Sequence, residues 1–210
     1  MNLSYRTLKE QLSAALQDEL PAHTAHKKIM QNRPTIHEIG EQLSTAKQSA
    51  VLCLLYQVKG EWKIVYIKRP EYEGVHSAQI GLPGGKKEAS DIDHCATALR
   101  EANEELNIQA KDVSLLGKLS SLYVPPSNFL IHPFIGIQLQ RPNFILEKRE
   151  VSGIIEIPLI HLLDERNLKT KEVSSSKFRF NTKGFEYKGE FIWGATAMIS
   201  MEFVQLLKSI

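Results

Sequence analysis

The stretch from Gly81 to Ile108, GLPGGKKEASDIDHCATALREANEELNI, allows few ways to fold. A Leu82-Pro83-Gly84-Gly85 turn leads into a helical segment that carries Arg100, Glu101, Glu104 and Glu105. At 3.6 residues per turn, Glu101 and its i+3 and i+4 neighbours Glu104 and Glu105 project from the same side. Like charges at that spacing cost an isolated helix roughly a few tenths of a kcal/mol per pair. A multivalent cation turns the repulsion into binding, and oxygen ligands at this density suit Mg²⁺ or Mn²⁺, not Zn²⁺. Asp91 and Asp93 both offer an N-cap oxygen. Ile92, Cys95, Ala96, Leu99, Ala102 and Leu106 form the expected buried stripe. Asn107 suits the left-handed conformation that ends such a helix.

These residues resemble the box of the Nudix hydrolase family, G-x5-E-x7-R-E-U-x-E-E-x-G-U, where U is a bulky aliphatic residue. Arg100-Glu101-Ala102-Asn103-Glu104-Glu105-Leu106-Asn107-Ile108 matches the second half, with Ala102 small for a U position and Asn107 replacing glycine. In the first half, Asp91 stands where the box has Glu, and one extra residue separates it from Arg100. Glu88 is the alternative acid. The run upstream is similar to the coenzyme A pyrophosphatase branch, which places an Arg and then His-x-x-Gln-[IV]-x-[FL]-P-G-G-K-x-E-x-x-D before a box with the same extension. The matching residues are Arg69, His76, Gln79, Ile80, Leu82, Pro83, Gly84, Gly85, Lys86, Glu88 and Asp91. The resemblance continues weakly at 125–129 and 192–197.

The resemblance implies an α/β fold, a Nudix-type α/β/α sandwich with a mixed β-sheet. It implies catalytic roles for Arg100, Glu101, Glu104, Glu105 and Glu88. The metal ligands would be Glu101, Glu104, Glu105 and a glycine carbonyl at Gly85, with Mg²⁺ or Mn²⁺ as cofactor. Arg100 would orient a glutamate through a bidentate pair, which its planar fork suits better than lysine does. Arg69, His76 and Lys86 would bind substrate. Glu105, Glu88 and Glu150 each remain candidates for the general base. The implied substrate is a small nucleotide of the coenzyme A type, cut to 3′,5′-ADP and 4′-phosphopantetheine. Phosphoryl transfer of this kind rests mostly on positioning and charge neutralisation. Hydrolysis of ADP-ribose, NADH or a nucleoside triphosphate is a second reading. A ligand-binding regulator without turnover is a third, and the intact Arg100, Glu101, Glu104 and Glu105 argue against it.

The 210 residues read as one domain, with an N-terminal helical extension at 1–48 and a Nudix core at 49–208. A net charge of +2 without a dense Lys/Arg cluster gives no reason to expect nucleic acid as a partner. The longest apolar run, Ala50 to Tyr56, falls far short of the roughly 20 residues that span a bilayer. No signal-peptide pattern opens the chain, and two cysteines imply no disulfide framework, so a cytoplasmic enzyme is expected. A homodimer is left open.

Strands are expected at 51–58 and 62–67 around Lys59-Gly60-Glu61, then near 112–119, 129–139 and 154–157. A hairpin with its turn at Thr182-Lys183-Gly184 should follow. Helices are expected at 3–20, 159–163 and 195–208. Pro125-Pro126-Ser127-Asn128 reads either as a rigid loop or as one wall of the cleft. The histidines other than His76 share no metal-ligand spacing and read as structural or exposed. Cys95 reads as a small core residue. Phe191 and Trp193 are expected to pack the core, with base stacking as the minority view.

Overall fold

The computed structural model describes residues 3–31, 36–71, 78–175 and 178–210. Helices α1 (Tyr5–Ala15), α2 (Ala22–Lys27) and α3 (Ile36–Ile39) precede β1 (Lys47–Val58) and β2 (Glu61–Lys68). Two short strands follow, β3 (Ile80–Gly81) and β4 (Gly84–Lys86), and then α4 (His94–Leu106). The chain continues through β5 (Ser114–Lys118), β6 (Leu122–Val124), β7 (Phe129–Gln140), β8 (Gly153–Pro158) and α5 (Leu159–Leu163). It ends with β9 (Leu168–Ser175), β10 (Phe178–Tyr187), β11 (Glu190–Ile192) and α6 (Gly194–Lys208).

The main sheet runs β3-β2-β1-β7-β5, with β4 also pairing with β1, β6 with β7 and β8 with β2. β1 and β7 are parallel and the other pairs antiparallel, so the sheet is mixed as expected. At the β1–β2 hairpin, Lys59 and Gly60 both take positive φ (52° and 80°), the conformation a tight primed turn demands.

Side-chain alternation along β1 divides the core between the two faces of the sheet. Cys53 and Leu55 join one cluster, with Trp62, Ile64 and Tyr66 of β2, Leu8 and Leu12 of α1, and the apolar face of α6. Ala50, Leu52, Leu54 and Tyr56 join the other, with Val65, Ile67 and Ala98, Ala102 and Leu106 of α4. Helices therefore cover both faces, giving the expected sandwich. α1 is tied down by Trp62, whose indole N–H donates to the Leu3 carbonyl at 2.9 Å and whose ring stacks on Tyr5. Among the described residues, no helix is long and apolar enough to cross a membrane.

Two expectations need correction. Thr182-Lys183-Gly184 is not a turn but the middle of β10, paired along its length with β9. The turn lies at Lys188-Gly189, both at positive φ. Gly184 sits in a strand because a Cβ there would strike the Ile192 carbonyl and approach Phe191 Cζ to 2.8 Å. The buried stripe of α4 is also rotated from the expected one. Asp93 is the N-cap, accepting from the Ala96 N–H at 2.7 Å, so Ile92 lies outside the helix and is 91% exposed. Thr97, Ala98, Ala102, Glu105 and Leu106 face inward instead. At the other end, Asn107 takes the left-handed conformation (φ 59°), with Ile108 N–H bonding the Ala102 carbonyl as in a Schellman close.

Candidate active site

The glycine turn lies flat on β1, with Ala50 paired to Gly85 and Val51 to Gly84. Gly84 has φ 149°, and a side chain there would collide with the Ala50 carbonyl. The Gly84 N–H donates to Glu105 Oε2 at 2.8 Å. A Cβ on Gly85 would occupy the space taken by the Glu101 carboxylate. The glycines thus let the first turn of the motif lie against the acids of its helix. On the same buried face of that helix as Glu105, Ala98 and Ala102 are fully buried against the sheet. A bulky residue at 102 would push α4, and its carboxylates, away from the turn.

Arg100 holds the constellation together. Its Nε and one terminal nitrogen bond both oxygens of Asp91 at 2.9 and 3.0 Å. It also bonds Glu104 Oε2 at 2.8 Å and the Lys86 carbonyl at 3.1 Å, and pairs with Glu101 Oε1 at 3.0 Å. Asp91 further accepts from the Glu88 N–H and the Thr97 hydroxyl, both at 2.9 Å. These donors stabilise its charged form and hold its carboxyl well below the usual range, the Arg100 bonds contributing most. The bidentate partner of Arg100 is therefore Asp91, not a glutamate. The extra residue before the helix does not displace Asp91 in favour of Glu88. Glu88 contributes its backbone N–H, and its side chain is exposed.

Glu101 and Glu105 come together with Glu150, their nearest oxygens all within 4.8 Å of one another. Glu105 is 1% exposed. Burial pushes its carboxyl up to about 7, against the pull of Arg69 and the Gly84 N–H. Burial also raises Glu101, opposed by Arg100. Glu150 is exposed. It arrives from the segment after β7, whose backbone completes the end of α4. The Ile145 and Glu147 N–H groups bond the Leu106 and Glu105 carbonyls, which have no partner within the helix. A turn from Glu147 to Val151 then presents Glu150. Arg141 anchors the start of this segment, pairing with Glu156 and lying over the Phe144 ring.

Of the residues singled out in the sequence, Glu101 and Glu105 meet as expected. Glu104 does not join them: it is about half exposed and bonds Arg100. Gly85 abuts Glu101. Arg69 reaches in from the end of β2, 4.0 Å from Glu105 Oε1 and 3.4 Å from the Gly84 carbonyl. Lys86 offers its carbonyl to Arg100 while its side chain faces solvent. His76 lies outside the described residues. Glu150 entered the sequence reading only as a candidate base, because no local spacing ties it to the helix.

Three carboxylates around one point, one of them fully buried, form an oxygen donor set that fits a hard divalent cation. The NUDIX domain matches residues 46–177. A Yersinia pestis protein carrying the name uncharacterized Nudix hydrolase NudL is 31% identical over 162 residues, covering 77% of this chain and 80% of its own. A Yersinia pseudotuberculosis counterpart matches to the same extent. Among solved structures, the Nudix hydrolase RenU of M. smegmatis superposes with a TM-score of 0.53 at 10% identity, covering 78% of this chain and 86% of that one. A MutT protein from Methanosarcina mazei gives 0.51 at 14% identity, covering 78% and 96%. With the carboxylate helix, the glycine turn and the mixed sheet already in place, these likenesses establish that the chain belongs to the Nudix hydrolases, enzymes that cut pyrophosphate bonds.

Proposed function

We propose that this enzyme hydrolyses the diphosphate bond of coenzyme A or one of its derivatives, with Mg²⁺ or Mn²⁺ as cofactor. The observation that carries the reading is the convergence of Glu101, Glu105 and Glu150, with Arg69 alongside. Glu101, Glu105 and Glu150 would hold the cation. When bound, it supplies charge neutralisation at the phosphate oxygens and an acidified water. Arg100 fixes Glu101 from behind, and Asp91 fixes Arg100. Arg69 meets the phosphates from the opposite side, its guanidinium placed for an anion as well as for Glu105. Glu150, the exposed member of the trio, would lend the cation one carboxylate oxygen and take the proton from the attacking water on the other, passing it to solvent. Glu104 stays at the rim as a second brace on Arg100.

Coenzyme A as the substrate rests on the run from Arg69 to Asp91 and its likeness to the coenzyme A pyrophosphatase branch. A cytoplasmic setting and a small-molecule nucleotide partner belong to the same reading. Incubation of the purified protein with coenzyme A and Mg²⁺ or Mn²⁺ should release 3′,5′-ADP and 4′-phosphopantetheine. Faster turnover of ADP-ribose or NADH at equal concentration would transfer the assignment to that substrate. No turnover of any of them would overturn it.

A further inference from the structure

Arg69 also lines a cleft of about 540 Å³, bounded by Ile80, Ser152, Phe191 and Trp193. It shares Arg69 with the site already described. Arg69 reaches to 4.0 Å from Glu105, and Ser152 lies two residues beyond Glu150. Phe191 and Trp193 are both partly exposed, and both pack against fixed neighbours. A Cβ on Gly184 would lie 2.8–2.9 Å from the Phe191 ring, so that ring rests directly on the β10 backbone. Lys171 Nζ sits 5.4 Å from the Phe191 centroid. Trp193 is held edge-on by Phe180, with centroids 5.9 Å apart. The Thr196 hydroxyl, bonded to the Ile80 carbonyl at 3.0 Å, locks the start of α6 to β3 beside it.

The charges around the cleft cancel. Lys68 and Arg69 face Glu71 and Glu190, and Lys68 is bonded to Glu190. Such a cleft offers a second anion little, while two fixed rings offer flat apolar surface to a flat neutral group. Resting on the diphosphatase reading, we infer that this cleft seats the nucleobase of the substrate on Phe191 and Trp193. The diphosphate then extends past Arg69 to Glu101, Glu105 and Glu150. A flexible chain such as the pantetheine arm would gain less from rigid ring faces, because ordering it costs rotamer entropy that a base does not lose.

Adenosine 5′-monophosphate, titrated without metal, should quench the protein's tryptophan fluorescence saturably. Ribose 5-phosphate, which lacks the base, should not. Trp193→Leu should abolish the quench, and Phe191→Leu should weaken binding roughly tenfold, as loss of a stacking ring does. Trp193→Phe, which keeps a ring, should recover most of the affinity measured by calorimetry and so separate lost stacking from lost folding. With a hydrolysed substrate, Phe191→Leu should raise KM by a similar factor. Turnover of a diphosphate with no response to adenosine 5′-monophosphate would sink the base seat and leave the enzyme reading standing. A quench by adenosine 5′-monophosphate without any diphosphatase activity would do the reverse. Quenching by 4′-phosphopantetheine in place of adenosine 5′-monophosphate would overturn the assignment of the cleft.

Discussion

Among the described residues two glutamates are buried, on opposite faces of the sheet, and they are treated differently. Glu202 of α6 is fully buried and fully partnered: one oxygen meets His26 Nε2 at 2.9 Å, and the other accepts from the Ser120 N–H at 3.0 Å. Glu105 of α4 is just as buried, yet one backbone N–H and an arginine at 4.0 Å are set against two further carboxylates. Burying a charge is costly unless the fold supplies partners. Glu202 has them built in and so joins α2 to α6. Glu105 lacks enough, and that shortage marks the place where a cation fits.

The sharpest break of this comparison is a pair of substitutions with opposite effects. Glu105→Gln should lower kcat/KM by about 10³-fold, within the range for loss of a directly acting group, with thermal stability unchanged or raised because repulsion from Glu101 and Glu150 is relieved. Glu202→Ala strips a buried partner from His26 and the Ser120 N–H. It should cost roughly 3–5 kcal/mol, with activity per folded molecule retained. Steady-state kinetics beside denaturant unfolding reads both. If Glu105→Gln unfolds the protein while Glu202→Ala leaves stability untouched, the two roles are reversed.

How much of this contrast the sequence showed follows from distance along the chain. Glu101 and Glu105 were legible because a helix fixes their relation within a few residues. The left-handed Asn107 was legible for a similar reason, whereas the mixed sheet was implied by the family resemblance. The inward turn of Glu105 was not, because the expected stripe began at Ile92 and the Asp93 cap starts the helix after it. Glu150 stands 45 residues beyond Glu105, placed by bonds from Ile145 and Glu147 to the helix end and by the pairing of β8 with β2. No local pattern encodes that closure. The separate three-stranded sheet β11-β10-β9 was hidden by Gly184, which imitates a turn residue but is there to make room for Phe191. Phe191 and Trp193, expected in the core, instead line a cleft.

A smaller effect tests the shortage of charge partners at Glu105 directly. A cation that binds only the folded state stabilises it by about 2.7 kcal/mol when present at 100 times its dissociation constant. For a chain of this size that is roughly 5–10 °C in melting temperature. Mg²⁺ should give such a rise in the unaltered protein and the same increment in a Glu202→Ala background. Glu105→Gln should remove most of it. An equal rise in all three proteins would place the cation elsewhere.

The smallest effect extends the comparison to histidine. His26 has an acid beside it, whereas His132 has Gln48, Ser121 and a second imidazole, His94, stacked 3.8 Å away. Burial lowers the His132 pKa to about 4, helped by repulsion from His94 and Lys118. His94 is lowered as well, by burial and Lys87, with Asp93 opposing. A histidine depressed in the fold binds fewer protons than it does unfolded. Its contribution to stability is therefore present above about pH 6.5 and is lost as pH falls towards 4. After allowance for solvent around a half-buried ring, the loss is roughly 1–2 kcal/mol. His132→Gln should flatten stability between pH 6.5 and 4 relative to the unaltered chain, read by urea unfolding at each pH. A steeper acid slope in the variant would mean that the ring is held protonated in the fold. His132 would then belong with Glu105 among the groups left for a ligand to neutralise.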